Sequence, residues 1–332
     1  MDNALGSLLD GPRARGAFLM RAVLAPPWGV QVRDEAPLTV ICVTRGDAWL
    51  VPGDGAPGPG PAGNHPDAVR LAAGDLALMR GPTPYTVADD PATTPQVVVR
   101  PGGCSVAADG TDLCEEMDLG VRTWGNAPDG STVLVIGTYQ LRGEITGRLL
   151  QALPPVLTLR RDSWDSPLIP LLEAEVARDE PGQEVILDRL LDLLVIAALR
   201  AWYARPDAAA PAWYRAHGDP VVAQVLRLIH DHPAHPWTVA GLAAKAGVSR
   251  AALARRFGAL VGEPPMTYLT AHRLDLAADL LREPDATLES VARRVGYGSA
   301  FTLSTAFKRE RGVSPSAHRV LGREAAGTDT GH

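Results

Sequence analysis

Only three cysteines occur in 332 residues, Cys42, Cys104 and Cys114. They are too few and too unevenly placed for the disulfide framework of a small secreted scaffold. Long apolar runs are missing as well. The richest, residues 190–201, is broken by Asp192 and Arg200 and falls short of the roughly 20 apolar residues a membrane span needs. The first residues show no basic stretch leading into an apolar core and a cleavage site, so no secretory leader is expected and the cytoplasm is the expected compartment. Histidine is scarce: His65 is the only one before residue 217. That leaves two-thirds of the chain with little imidazole for a transition-metal site.

What is present reads as globular, with 46% hydrophobic and 21% charged residues. The length allows two cores, since domains typically run to about 100–200 residues. The net charge of −6 hides an asymmetry. Residues 220–323 hold 14 Lys/Arg against 8 Asp/Glu, a local charge of +6, whereas residues 1–219 carry −10 and the tail −2. A basic C-terminal module on an acidic body is the layout expected when one end meets phosphates.

The first 142 residues have the texture of a β domain. Short apolar runs at 38–43, 48–51, 76–79 and 96–99 are separated by Gly, Pro and Asp clusters, which predicts a sandwich or barrel. Residues 53–61 alternate Gly and Pro and read as a loop, and 101–112 reads as irregular. From Pro167 the period becomes helical. One amphipathic helix begins near Leu168 and ends by Pro181-Gly182, and a second, at about 183–204, places Ile186, Leu187, Leu190, Leu191 and Leu194 on a wide apolar face. A linker at 206–211 and a helix at 221–230 follow.

The strongest signal is an internal repeat. Residues 237–261 and 286–311 match at an offset of 49 in their first halves, as in Leu242/Val291, Ala243/Ala292 and Gly247/Gly296. In their second halves the offset is 50, as in Ser249/Ser299, Leu253/Leu303, Phe257/Phe307, Gly262/Gly312 and Pro265/Pro315. Each copy reads as helix-turn-helix. Thr238 and Thr287 are N-cap candidates, a glycine ends the first helix, and Ser249 or Ser299 caps the second. Leu253 and Phe257 bury one face of that second helix while Arg250, Arg255 and Arg256 project elsewhere, the pattern a major groove accepts.

At these residues, notably Gly247-Val248-Ser249, Leu253-Ala254-Arg255-Arg256-Phe257 and Gly312-Val313-Ser314-Pro315, the chain resembles the AraC/XylS family of bacterial regulators. The resemblance implies two helix-turn-helix units joined by a long helix at about 266–281, with recognition helices in successive major-groove faces of double-stranded DNA. It places Arg255 at the main base-contacting position, suited to guanine O6 and N7. Arg250 suits a phosphate and Ala251 a thymine methyl. In the second helix Thr305 stands where Arg255 stands in the first, with Ser299 and Thr302 also among the candidate contacts. Lys308, Arg309 and Arg256 complete the DNA-binding set, the first two as phosphate contacts. For Arg256, Arg273, Arg293 and Arg294, intramolecular pairing stays open beside backbone contact.

The β-rich start resembles the cupin-type sensor domain often fused to this module, through Trp28-Gly29-Val30, Gly74-Asp75-Leu76 and Gly137-Thr138-Tyr139. The expected fold is therefore multidomain α+β: a cupin-like β-barrel at 1–160, a helical linker or dimerisation segment at 161–215, an all-α double helix-turn-helix domain at 220–323, and a disordered tail at 324–332. The rival class is a metal-dependent cupin enzyme with an accessory DNA-binding domain. Ile41 and Tyr85 stand where related domains place histidine, so neither a metal, another cofactor nor catalysis is expected. His230, His232 and His235 lie among prolines and read as a connector. Two sensing modes stay open: a small-molecule pocket lined by Trp49, Tyr85 and Tyr139, or a redox switch between Cys104 and Cys114, ten residues apart. The expected function is a sequence-specific transcription regulator, activator or repressor, that acts as a homodimer, with RNA polymerase as a further candidate partner.

Overall fold

Strands of the first unit turn alternate side chains into one shared apolar interior. The computed structural model describes residues 18–53, 67–103, 105–139, 150, 153–205, 212, 216–283 and 285–320. Twelve strands are β1 (Phe18–Leu24), β2 (Gly29–Val32), β3 (Leu38–Arg45), β4 (Asp47–Pro52), β5 (Val69–Ala72), β6 (Leu76–Arg80), β7 (Tyr85–Ala88), β8 (Val97–Val99), β9 (Ser105–Ala107), β10 (Thr123–Gly125), β11 (Thr132–Tyr139) and β12 (Val156–Leu159). They form two six-stranded sheets, ordered β10-β1-β11-β3-β6-β12 and β5-β4-β7-β2-β8-β9. Ile41, Ala77 and Leu134 from the first sheet meet Val30, Leu50, Leu71 and Val87 from the second in one apolar cluster. The arrangement is a sandwich, not the closed barrel expected: among the described residues no ladder joins the sheet edges. Strand β9 also lies inside the stretch expected to be irregular.

Two helices, α1 (Leu168–Val176) and α2 (Gln183–Tyr203), complete this unit. They explain why β3 reads as an unbroken apolar run. Its odd positions face the sandwich interior, while Val40 and Cys42 face away and are nonetheless buried. Gly137 on β11 lets α2 approach: a Cβ there would sit 2.7 Å from a Leu191 methyl. Glu173 on α1 accepts a hydrogen bond from Thr44 at 2.9 Å.

The second unit is helical: α3 (Pro220–Asp231), α4 (Val239–Lys245), α5 (Arg250–Val261), α6 (Pro265–Leu280), α7 (Leu288–Arg294) and α8 (Ala300–Arg311). It has two cores strung on α6. Leu242, Ala243, Leu253 and Phe257 pack with Tyr268 and Leu269 from one end of α6. Val291, Ala292, Leu303 and Phe307 pack with Leu274, Ala277 and Ala278 from the other. A 16-residue helix is about 24 Å long, enough to hold two separate clusters. No helix among the described residues is long and apolar enough to cross a membrane. The expected tail at 324–332, most of the Gly/Pro loop, His65 and Cys104 lie outside the described residues.

Candidate nucleic-acid interface

Each helix-turn-helix unit is built by local rules. Thr238 caps α4 by accepting from the Gly241 amide, and Gly247 then takes φ +68° to turn the chain. Ser249 caps α5 by accepting from the Ala252 amide at 3.2 Å. The second copy repeats the plan with full capping boxes at Thr287/Ser290 and Ser299/Thr302. Gly296, at φ +81°, is required twice over, because a Cβ there would lie 2.8 Å from the Ala234 backbone. The paired core residues Leu253/Leu303 and Phe257/Phe307 are fully buried, so each recognition helix turns a fixed face outward.

On α5 that outward face holds Arg250, Ala251, Arg255 and Arg256, all exposed. Arg250 and Arg255 have no ion-pair or hydrogen-bond partner among the described residues, so both guanidiniums face solvent. Arg256 differs: it lies 3.7 Å from Asp219, whose carboxylate also caps α3. Arg273 is a scaffold residue, donating to the carbonyls of Pro233 at 2.7 Å and His235 at 2.8 Å. Burial lowers its pKa accordingly. Arg294 pairs with Glu283 at 3.0 Å, and Arg293 is exposed.

On α8 the hydroxyls are largely engaged within the helix. Ser299 and Thr302 cap each other, and Thr305 donates to the Phe301 carbonyl at 3.0 Å. Lys308 and Arg309 remain exposed, and with Phe301, Ser304 and Thr305 they line a shallow recess. Nothing in the sequence pattern singles out Phe301, although the repeat offset of 50 pairs it with Ala251.

The three aromatic candidates of the first unit do not converge. Trp49 lies opposite Arg70 and Ala88 on the outer face of its sheet. Tyr85 belongs to the sandwich core, where burial pushes its hydroxyl well above the usual range. Tyr139 sits on the other sheet's outer face under α2 and donates to Asp192 at 3.4 Å. Burial, with Asp192 and Asp188 nearby, raises its pKa strongly. The indole N–H groups of Trp28 and Trp124, both packed in the sandwich core, are buried without an acceptor among the described residues. Cys42 is sealed beneath the helices and its thiol is pushed up to about 12 by desolvation. Cys114 is exposed, with its amide donating to Asp112.

Of the second unit's histidines, His230 and His272 are buried, whereas His232 and His235 are exposed. His230 is hydrogen-bonded to the Tyr268 hydroxyl at 2.8 Å, and His235 lies against Trp237. Among the described residues no group of three or more His, Cys, Asp or Glu is placed to hold a metal ion.

Comparison with known proteins decides the family. A cupin family model matches residues 3–204 and a helix-turn-helix domain model matches residues 242–320. A putative AraC-like transcription regulator of Streptomyces lividans is 34% identical over 257 residues, covering 76% of this chain and 80% of that protein. The chain belongs to the AraC-like transcription regulators. A second such regulator, from Streptomyces antibioticus, is 32% identical and covers 88% of this chain and 90% of its own length. The DNA-binding domain of AdpA, a global transcriptional factor solved with a target DNA, is 34% identical. It covers 32% of this chain and 96% of that domain, with a TM-score of 0.31. With a helix-turn-helix model matched and AraC-like transcription regulators as relatives, this AraC-like regulator is a DNA-binding protein, and its cupin match extends through α1 and α2.

Proposed function

We propose that this regulator recognises its operator chiefly through α5, with Arg255 as the base-reading residue and Arg250 on the backbone. The observation that carries this reading is that both guanidiniums are exposed and unpaired on a helix whose other face is locked into a core. Arg255 pairs with guanine O6 and N7, a bidentate contact that few side chains can imitate. Ala251 lies one position past Arg250 and meets an apolar base edge. Lys308 and Arg309 hold phosphates beside α8, while Ser299 and Thr302 serve mainly as caps. Arg256 contributes less, since Asp219, 3.7 Å away, competes with phosphate for its charge. Replacing Arg255 by Ala is expected to remove about 1–3 kcal/mol of discrimination at one base pair. Competition with single-base operator variants measures this. Equal loss at every position would reassign Arg255 to the phosphates.

The first unit acts as the effector sensor. The unpartnered indole donors of Trp28 and Trp124 favour a ligand that brings hydrogen-bond acceptors into the sandwich interior, in place of the dispersed trio Trp49, Tyr85 and Tyr139. The expected homodimer is served by α2, where Ile186, Leu190, Leu193 and Ala197 follow one another at spacings of four, three and four. Ile186 and Leu193 are 48% and 52% exposed, which a second copy of the helix would cover. Leu193→Glu is therefore expected to shift the full-length protein from dimer to monomer in sedimentation velocity. An unchanged dimer places the interface elsewhere. RNA polymerase is the further partner proposed for the DNA-bound dimer, and the cytoplasm its compartment.

A further inference from the structure

We propose that Phe301 is a specificity-determining residue that reads thymine C5-methyl groups in the half of the operator met by α8. The proposal rests on the reading of α8 as a recognition helix and names what that helix recognises.

Phe301 is 78% exposed, while Trp237, Phe257, Tyr268 and Phe307 of the same unit are at most 8% exposed. A phenyl ring on the surface forgoes burial that would otherwise be favourable, and here it supports no core. It stands in the first turn of α8, and Thr305 and Lys308 follow it on the same face at i+4 and i+7. Together with Ser304 and Arg309 these residues line one shallow recess.

Apart from the half-buried Ser304 hydroxyl, the polar atoms near that ring are already engaged. The Ser299 hydroxyl accepts from the Thr302 amide at 3.2 Å, and the Thr302 hydroxyl donates to the Ser299 carbonyl at 2.8 Å. Thr305 spends its proton on the Phe301 carbonyl, and Glu289 accepts from the Ala300 amide at 3.2 Å. What this helix offers outward is thus chiefly an aromatic face and a threonine methyl, with the Ser304 hydroxyl beside them and two cations at the border. Lys308 and Arg309 argue for an anionic occupant, as a groove walled by phosphates is, over an apolar protein surface. Within the major groove the thymine methyl is the apolar feature that distinguishes one base from the rest, and phenylalanine is suited to it. The repeat supports the assignment: Ala251, the counterpart on α5, is also exposed and apolar but much shorter. The two units would then divide the work, guanine to the Arg255 side and thymine methyls to the Phe301 side.

The test starts from operators selected from random DNA by the full-length protein. Each thymine in the α8 half is replaced singly by deoxyuridine, which removes one methyl and leaves every hydrogen bond. Wild type is expected to lose about fourfold in affinity at one or two positions, the worth of one buried methyl-sized group. Phe301→Ser should bind more weakly and be indifferent to the same replacements, whereas Phe301→Leu should keep part of the sensitivity. Selection of a consensus by a wild type insensitive to every uracil would overturn the role of Phe301 and leave operator reading intact. Equal uracil sensitivity in wild type and Phe301→Ser would overturn it too, and would favour a protein partner for the exposed ring. Recovery of no consensus at all would instead sink the recognition-helix reading on which the proposal stands.

Discussion

Alanine in place of Asp275 is expected to destabilise the helical unit by about 3–5 kcal/mol, the largest effect foreseen for any single exchange here. Asp275 on α6 is paired with Arg311 at the end of α8, and their side chains are only 7% and 17% exposed. Arg311 also lies over the Phe307 ring at 5.4 Å, so one guanidinium ties α6, α8 and the second core together. Removing the carboxylate takes away the pairing that compensates the desolvation of that cation, which costs far more than the pair itself contributes. Replacing both partners, Asp275→Ala with Arg311→Met, should recover much of the loss because no charge is then stranded. Urea unfolding of the full-length variants measures both effects. A single variant within 1 kcal/mol of wild type would mean that the pair is solvated. Since Leu253 and Phe257 have their own cluster on the other end of α6, discrimination at the Arg255 base pair should outlast that at the α8 half.

Operator affinity should fall about fortyfold per protomer between 50 and 200 mM salt. Arg250, Lys308 and Arg309, the residues assigned to the backbone, are exposed and basic, so roughly three phosphates are neutralised. Each released counterion contributes close to one unit of slope in a plot of log affinity against log salt. The acidic remainder of the chain, −10 over residues 1–219, adds no compensating attraction. Lys308→Ala should reduce the slope by about one without changing which sequences are preferred. A salt response below about threefold would remove the phosphates from the account and leave base contacts to carry affinity alone.

The helix-turn-helix units were legible residue by residue, because everything that defines them is local. Caps at Thr238, Ser249, Thr287 and Ser299 act over three residues, glycine turns at 247 and 296 act over one, and burial of Leu253 with Phe257 needs only the helical period. The repeat doubled that signal. In the first unit, strand positions were equally visible, but which strands became neighbours was not. β1 pairs with β11 across more than a hundred residues, and nothing in either segment names its partner. Whether the ring of Trp49, Tyr85 or Tyr139 enters the sandwich or faces away follows from that pairing, so a pocket drawn from residue type alone scattered over three surfaces. Arg256 shows the same division in the second unit. Its charge and its place on α5 were set by the sequence, and only the fold brought Asp219 to 3.7 Å from it. Helical period and capping are short-range, so local residues were enough to fix which faces α5 and α8 turn outward. Which side chains on those faces stay unpaired depended on distant segments, whose pairing exists only once the chain has closed on itself.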